Sequence, residues 1–257
     1  FVENKQGRRD LFLEKYPVDK DMVFDNLNDF IAHDKLADAV IISHYDLLHY
    51  DTAQVLLVKG YDVLVETPVA NSLDGLVHLK EYSLKNKDRL FMVAYNNRYS
   101  SFYTKLKEIV DDKKLGDLIN ISYNVDIGYQ NFVHNYVRGN WRITSDTATI
   151  MLTNSCQDID MMINLSKGKC QKVSCFSDLR IFNWENFNTK MSENCFRCSE
   201  EESCPFSAKK IYLQEDKLIN NSVHINPTKD NLEAILKQGP YGKCVFYCDN
   251  DVCDNLT

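Results

Sequence analysis

Glycine is scarce in the first quarter of this chain. Only nine occur in 257 residues, and Gly7 is the single one before Gly60. A Gly-x-Gly-x-x-Gly turn that cradles phosphates on backbone N–H groups is therefore absent from these residues. No apolar run approaches the ~18 residues that span a bilayer, which excludes a membrane-crossing helix as an expectation. There is no block of Lys or Arg, and the formal charge is −7, so a nucleic-acid partner is not expected. No internal repeat or low-complexity segment stands out, and the N-terminus lacks a signal-peptide pattern. The expectation is a cytoplasmic protein.

What is present is ordinary for a globular protein, at 44% hydrophobic and 26% charged residues. The length allows one large or two modest domains. Cysteine is the exception. Nine is many for a cytosolic chain and the number is odd, so reduced thiols or a metal site are better readings than a disulfide framework.

Strand and helix signals alternate through the first half. Helices are expected over 8–15 and 26–33, the second with Asp25 as N-cap. The all-apolar run 39–42 reads as a parallel strand covered on both faces. A helix over 51–59 should stop at Gly60, followed by a strand over 61–65. Ser72 can cap a helix over 73–85, a third strand covers 91–94, and a helix covers 102–111. This spacing argues for a doubly wound parallel sheet. From Leu118 the pattern changes to the alternation of Ile119 to Val125, which suits a sheet with one wet face. The predicted domains are residues 1–117 and 118–257. The second holds a helix near 158–165 and strands near 172–176 and 244–247, giving an α+β domain with a mixed, largely antiparallel open sheet.

The run Asp62 to Pro68 is the most informative. It reads as a buried strand stopped by a proline, bringing Glu66 and Thr67 to the strand's C-terminal end. In open α/β sheets, ligands bind at that edge.

Several segments in order resemble the Gfo/Idh/MocA oxidoreductases: Asp38–Ile42 with Asp46–His49, Gly60–Pro68, Tyr95–Tyr99, Tyr136–Arg142, Ser155–Asp160, Cys204–Ala208 and Cys248–Val252. The resemblance implies an NAD- or NADP-binding Rossmann domain followed by an α/β domain that carries substrate contacts and homo-oligomer contacts on its open sheet. It implies that the first strand and glycine loop precede Phe1, that Glu3 holds the adenosine ribose, and that the last sheet strands follow Thr257. It further places Ser43, His44, Tyr45, Leu48, His49, Glu66, Pro68 and Asn96 beside the cofactor. Arg138, Trp141 and Arg142 then face a sugar or polyol substrate.

Where such proteins carry Glu-Lys-Pro, this chain has Glu66-Thr67-Pro68. Where a subgroup carries Lys-Ser-Cys-His, it has Asn154-Ser155-Cys156-Gln157. The catalytic positions are therefore Thr67, Asn154 and Gln157, none of which titrates near neutral pH. Two functions stay open: an NAD- or NADP-dependent oxidoreductase of the sugar or polyol type, with catalysis intact or impaired, or a non-catalytic dinucleotide- or sugar-binding regulatory module on the same scaffold. Separately, Cys195, Cys198 and Cys204 with distant Cys248 fit a structural zinc site; reduced, unbound thiols are the competing reading.

Overall fold

The computed structural model describes residues 1–214 and 219–257. The chain divides into two compact units, one of residues 1–108 with 151–161 and the other of residues 109–150 with 162–257.

In the first unit, β1 (Ala39–Ile42), β2 (Asp62–Val65) and β3 (Phe91–Val93) form a parallel sheet in that order. Ile42 lies opposite Val65, and Val65 opposite Val93, so the three strands end level with one another. The helices are α1 (Gln6–Lys15), α2 (Leu27–Ala32), α3 (His49–Val58), α4 (Leu73–Lys85) and α5 (Ser101–Asp111). Local chemistry sets their ends. Ser72 Oγ accepts the Gly75 N–H at 3.2 Å and starts α4. Gly60 takes φ of +87°, a left-handed turn that glycine makes without strain, and carries the chain from α3 into β2. At α2 the cap is Asn26, whose side chain accepts the Asp29 N–H, in place of the expected Asp25.

The core of this unit joins Leu56 and Leu57 of α3 to Tyr61, Val63, Val65 and Ile42. Tyr61 is fully buried, and its hydroxyl accepts the Leu36 N–H at 3.1 Å. One expectation needs correcting. Burial alternates along the sheet: Ile42 is buried but Ile41 is 69% exposed, and Met92 is 47% exposed. Among the described residues of this unit, only one face of the sheet is closely packed, so the apolar run did not mean cover on both faces.

The second unit has a separate core built on Val133, Val137, Ile211, Tyr212, Leu236, Val245 and Val252. Val133–Val137 is a single π-helical turn, with the Arg138 N–H bonded to the Val133 carbonyl at 2.9 Å. That wide turn directs both His134 and Arg138 inward, and each is buried. Gly139 follows because a Cβ there would lie 2.1 Å from the His134 carbonyl oxygen.

The strands expected in this unit differ most. Residues 118–128 form neither helix nor strand, and Ile119 is 91% exposed. Antiparallel pairing among the described residues is limited to the two-residue strands Ser177–Asp178 and Asn255–Leu256 and a single bridge between Asn194 and Lys243. The 172–176 segment adds only a pair of hydrogen bonds between Phe176 and Thr257. Residues 244–247 are a turn closed by the Tyr247 N–H on the Cys244 carbonyl, not a strand. Alternation of side chains marks a surface suited to pleating, but the ladder itself needs a partner strand. No helix among the described residues is long and apolar enough to cross a membrane.

His134 couples this unit to pH. Its Nε2 meets Ser222 Oγ at 2.8 Å and its Nδ1 meets the Tyr212 hydroxyl at 3.2 Å, while Tyr241 stacks on the ring at 5.0 Å. Burial, aided by the charge of Arg138, pulls its pKa down to about 4. The unfolded chain takes up this proton near pH 6.5 and the folded chain does not, so stability falls as pH drops from about 6.5 to about 4. We expect a loss on the order of 2–3 kcal/mol over that window. Denaturant titrations of the native protein and His134→Gln at a series of pH values should differ in slope there; equal slopes would rule the coupling out.

Candidate functional site

The candidate site is the C-terminal edge of the parallel sheet in the first unit. Three connections meet there: Ser43–Tyr45 after β1, Glu66–Pro68 after β2, and Ala94–Asn96 after β3. Parallel strands ending level expose their last carbonyls and side chains along one rim, the usual place for a ligand on such a sheet. Ser43, His44, Leu48 and Asn96 are exposed on this rim, and Tyr45, Glu66 and Thr67 are half-buried.

His49 and Pro68 lie beneath. His49 is 2% exposed; its Nδ1 faces the Pro68 carbonyl at 2.8 Å and its Nε2 the His44 carbonyl at 3.0 Å. The imidazole thus pins the loop after β1 to the turn after β2. It is a positioning residue beneath the rim, where the resemblance implied cofactor contact. Neighbouring His44, exposed as a residue, tucks its ring onto Thr52 Oγ1 at 2.9 Å, and partial burial of that ring pushes its imidazole below its ordinary range. His49→Ala removes the ring N–H that bonds one of these two carbonyls and the ring that packs between them, and we expect it to cost roughly 1–3 kcal/mol. Thermal unfolding measures this, and a melting point unchanged from wild type would show the pin to be dispensable.

Two of the three positions that the resemblance marks as catalytic, Thr67 and Gln157, meet. Gln157, on the helix Cys156–Ser166, donates from Nε2 to Thr67 Oγ1 at 3.1 Å. Its Oε1 accepts the Asn97 N–H at 3.4 Å, which ties the turn after β3 into the same cluster. Asn154 sits half-buried two residues before that helix. Burial pushes the Cys156 thiol up, although a hydrogen bond with Thr67 offsets part of the rise. The Tyr95 hydroxyl is also pushed up, by burial and then by the nearby Cys156 and Asp160. Thr and Gln do not titrate near neutrality, and Cys156 and Tyr95 are moved further from it. Thr67, Gln157 and the Asn97 N–H are joined here by hydrogen bonds.

Asp160 has a separate task. Both its oxygens grip Arg98, at 2.5 Å to Nε and 2.6 Å to Nη2, and the Arg98 guanidinium lies 5.6 Å from the Tyr95 ring centre. This fork fixes the segment after β3 against the Cys156–Ser166 helix.

Glu3 is not brought to the rim by any hydrogen bond. Its carboxylate accepts the Lys5 N–H and lies 3.9 Å from Arg8, while Val2 bridges Phe24 in parallel. In the second unit the two arginines of one motif part company. Arg138 is 1% exposed and donates to the carbonyls of Lys243 and Phe206 and to Cys195 Sγ. Arg142 is partly exposed and forks onto Asp249 at 3.0 and 3.2 Å. Trp141 is half-buried against the unit's core.

The zinc expectation is not supported. Among the described residues no group of three or more His, Cys, Asp or Glu side chains could hold a metal ion. Cys195, Cys198 and Cys204 do line one cavity, but the cysteine that joins them is Cys244. Because 244–247 is a turn, Cys248 folds back and donates its S–H to the Cys244 carbonyl at 3.2 Å.

Residues 1–95 match the family model GFO_IDH_MocA, described as an oxidoreductase family with an NAD-binding Rossmann fold. The chain is 26% identical over 157 residues to an inositol 2-dehydrogenase of Salmonella typhimurium, covering 56% of this chain and 46% of that protein. It is 28% identical over 102 residues to an inositol 2-dehydrogenase/D-chiro-inositol 3-dehydrogenase of Halalkalibacterium halodurans, covering 40% and 27%. In fold it is similar to the scyllo-inositol dehydrogenase of Lactobacillus casei solved with NAD(H) and scyllo-inositol, with a TM-score of 0.59, 23% identity, and coverage of 70% of this chain and 51% of that one. The chain thus spans about half the length of the relatives it matches. With its parallel sheet and its matched first 95 residues, the chain is similar in that part to the NAD-binding Rossmann domain of the GFO_IDH_MocA oxidoreductases.

Proposed function

We propose that the rim after β1, β2 and β3 takes the nicotinamide end of NAD or NADP and a polyol of the inositol type, and that ordinary proton-coupled hydride transfer there is slow. The family match and the inositol dehydrogenase relatives support the ligands. The observation that carries the second half is the Gln157 amide bonded to Thr67 Oγ1. The residues present fit the nicotinamide end: a level strand rim, exposed Ser43 and His44, and half-buried Glu66 and Thr67 offer donors and acceptors. They supply no glycine turn for the phosphates.

When bound, nicotinamide accepts or gives a hydride. The chain's own part is to hold the two reacting carbons together and manage the hydroxyl proton. Ser43, His44 and Glu66 can orient the ring, and Thr67 and Gln157 can hydrogen-bond a polyol oxygen. Neither can carry its proton. The second reading, a binding module that senses dinucleotide or polyol, is favoured by that same hydrogen-bonded corner.

Equilibrium dialysis with NAD and NADP, together with hydride exchange from a panel of inositols and aldoses, tests both readings. Dinucleotide retention with exchange at least ~10²-fold below a polyol dehydrogenase with lysine and histidine at these positions is expected. Failure to retain either dinucleotide would contradict the ligand assignment.

A further inference from the structure

The second unit contains a constellation that dinucleotide chemistry does not use. Cys195, Cys198, Cys204 and Cys244 line one cavity of about 210 Å³. Behind it lies Arg138, a guanidinium 1% exposed whose Nη2 donates to Cys195 Sγ at 3.4 Å and whose Nη1 is buried without a hydrogen-bond partner. Its Nε and Nη2 also donate to neutral carbonyls. A buried cation held by neutral groups and a sulfur favours negative charge on that sulfur whenever it develops.

The backbone adds a second constraint. Cys195–Arg197 is a 3₁₀ turn with the Cys198 N–H bonded to the Cys195 carbonyl at 3.4 Å. Residues so joined have Cα atoms within about 7 Å, inside the reach of a disulfide. Cys195 is buried and Cys198 half-buried, so an incoming reagent meets Cys198 first.

We propose that Cys195 and Cys198 form a redox-active dithiol that exchanges with low-molecular-weight disulfides of the glutathione type. In the first step Cys198 sulfur loses its proton to solvent and attacks one sulfur of the disulfide. A protein–glutathione mixed disulfide forms, and one glutathione thiolate leaves and takes up a proton. Cys195 sulfur loses its proton to solvent and, its developing charge held by Arg138, then attacks the Cys198 sulfur and expels the second glutathione as a thiolate that takes up a proton. Two electrons pass from the dithiol to the glutathione disulfide, and the Cys195–Cys198 disulfide remains. In reduction Cys195 is the leaving group, and Arg138 assists it again. This is a modification site in the second unit and is independent of the function proposed for the first.

The full chain, freed of metal by chelation, is equilibrated in glutathione buffers of graded reduced-to-oxidised ratio, quenched with acid, and mapped by peptide mass spectrometry. The Cys195–Cys198 link should appear at ratios that leave exposed Cys170 and Cys175 without glutathione. Cys195→Ser should instead trap glutathione on Cys198, at least about tenfold above wild type. Arg138→Met should close the link about tenfold more slowly, the loss of one charge-assisted hydrogen bond. Should that variant fail to fold, the two serine variants decide alone. Cys198→Ser should take no glutathione at Cys195. Three results would overturn the proposal: a link between other cysteines of the cavity, a Cys198 no more readily oxidised than Cys170, or one tightly bound metal ion per chain before chelation.

Discussion

Changing Thr67→Lys, Asn154→Lys and Gln157→His together is expected to raise hydride exchange with an inositol by about 10²–10⁴, the usual worth of a positioned proton carrier. Gln157 and Thr67 already touch, at 3.1 Å, so groups placed there would meet over the same point of the rim. The Arg98–Asp160 fork and the His49 pin hold the surrounding turns in addition to the Gln157 bond to the Asn97 N–H, so those turns keep anchors when Gln157 is changed. Single changes should do far less, because Thr67→Lys alone lacks its proton partner and residues that act as a unit are not additive. Stopped-flow absorbance of the reduced dinucleotide reads the effect. A triple variant that binds dinucleotide as wild type does and gains nothing would remove this corner from consideration as the reaction centre.

The second large effect concerns Arg138 and Arg142, alike in sequence and unlike in structure. Arg138→Met strands the carbonyls of Lys243 and Phe206 in the core, at roughly 1–3 kcal/mol each, and should lower stability by about 2–5 kcal/mol. Arg142→Met breaks a partly exposed pair with Asp249 and one hydrogen bond to the Gly139 carbonyl, and should cost about 0.5–2 kcal/mol. Urea denaturation of the two variants side by side makes the comparison. Equal losses would mean that the inward turn at Val133–Val137 does not carry the second unit.

The contrast shows what the sequence could convey. Strand ends, caps and turns of the first unit are local: Ser72, Gly60 and the Glu66-Thr67-Pro68 stop announce themselves within a few residues. The three parallel strands and the helices between them were therefore legible, as was the meeting of Thr67 with Gln157 once the resemblance had paired them. Facts that depend on distant partners were not. Nothing local distinguishes the buried Arg138 from the partly exposed Arg142. The π-helical turn decides it, and that turn forms against a core supplied by residues 182–252.

The same limit explains the second unit's missing strands. Residues 119–125 alternate as a strand would but have no ladder partner among the described residues, and 244–247 closes as a turn. That turn then exchanged Cys248 for Cys244 at the thiol cavity. A cysteine spacing alone could not reveal the exchange.

The central claim is that this rim still receives a dinucleotide while its corner no longer handles a proton. One measurement tests it most directly: a single sample titrated with NADH by fluorescence and then followed, with NAD and inositol deuterated at its ring carbons, for transfer of deuterium to the nicotinamide. The account predicts saturable binding with deuterium transfer at least ~10²-fold slower than in a relative bearing lysine and histidine at the corner. Transfer at that relative's rate would contradict it.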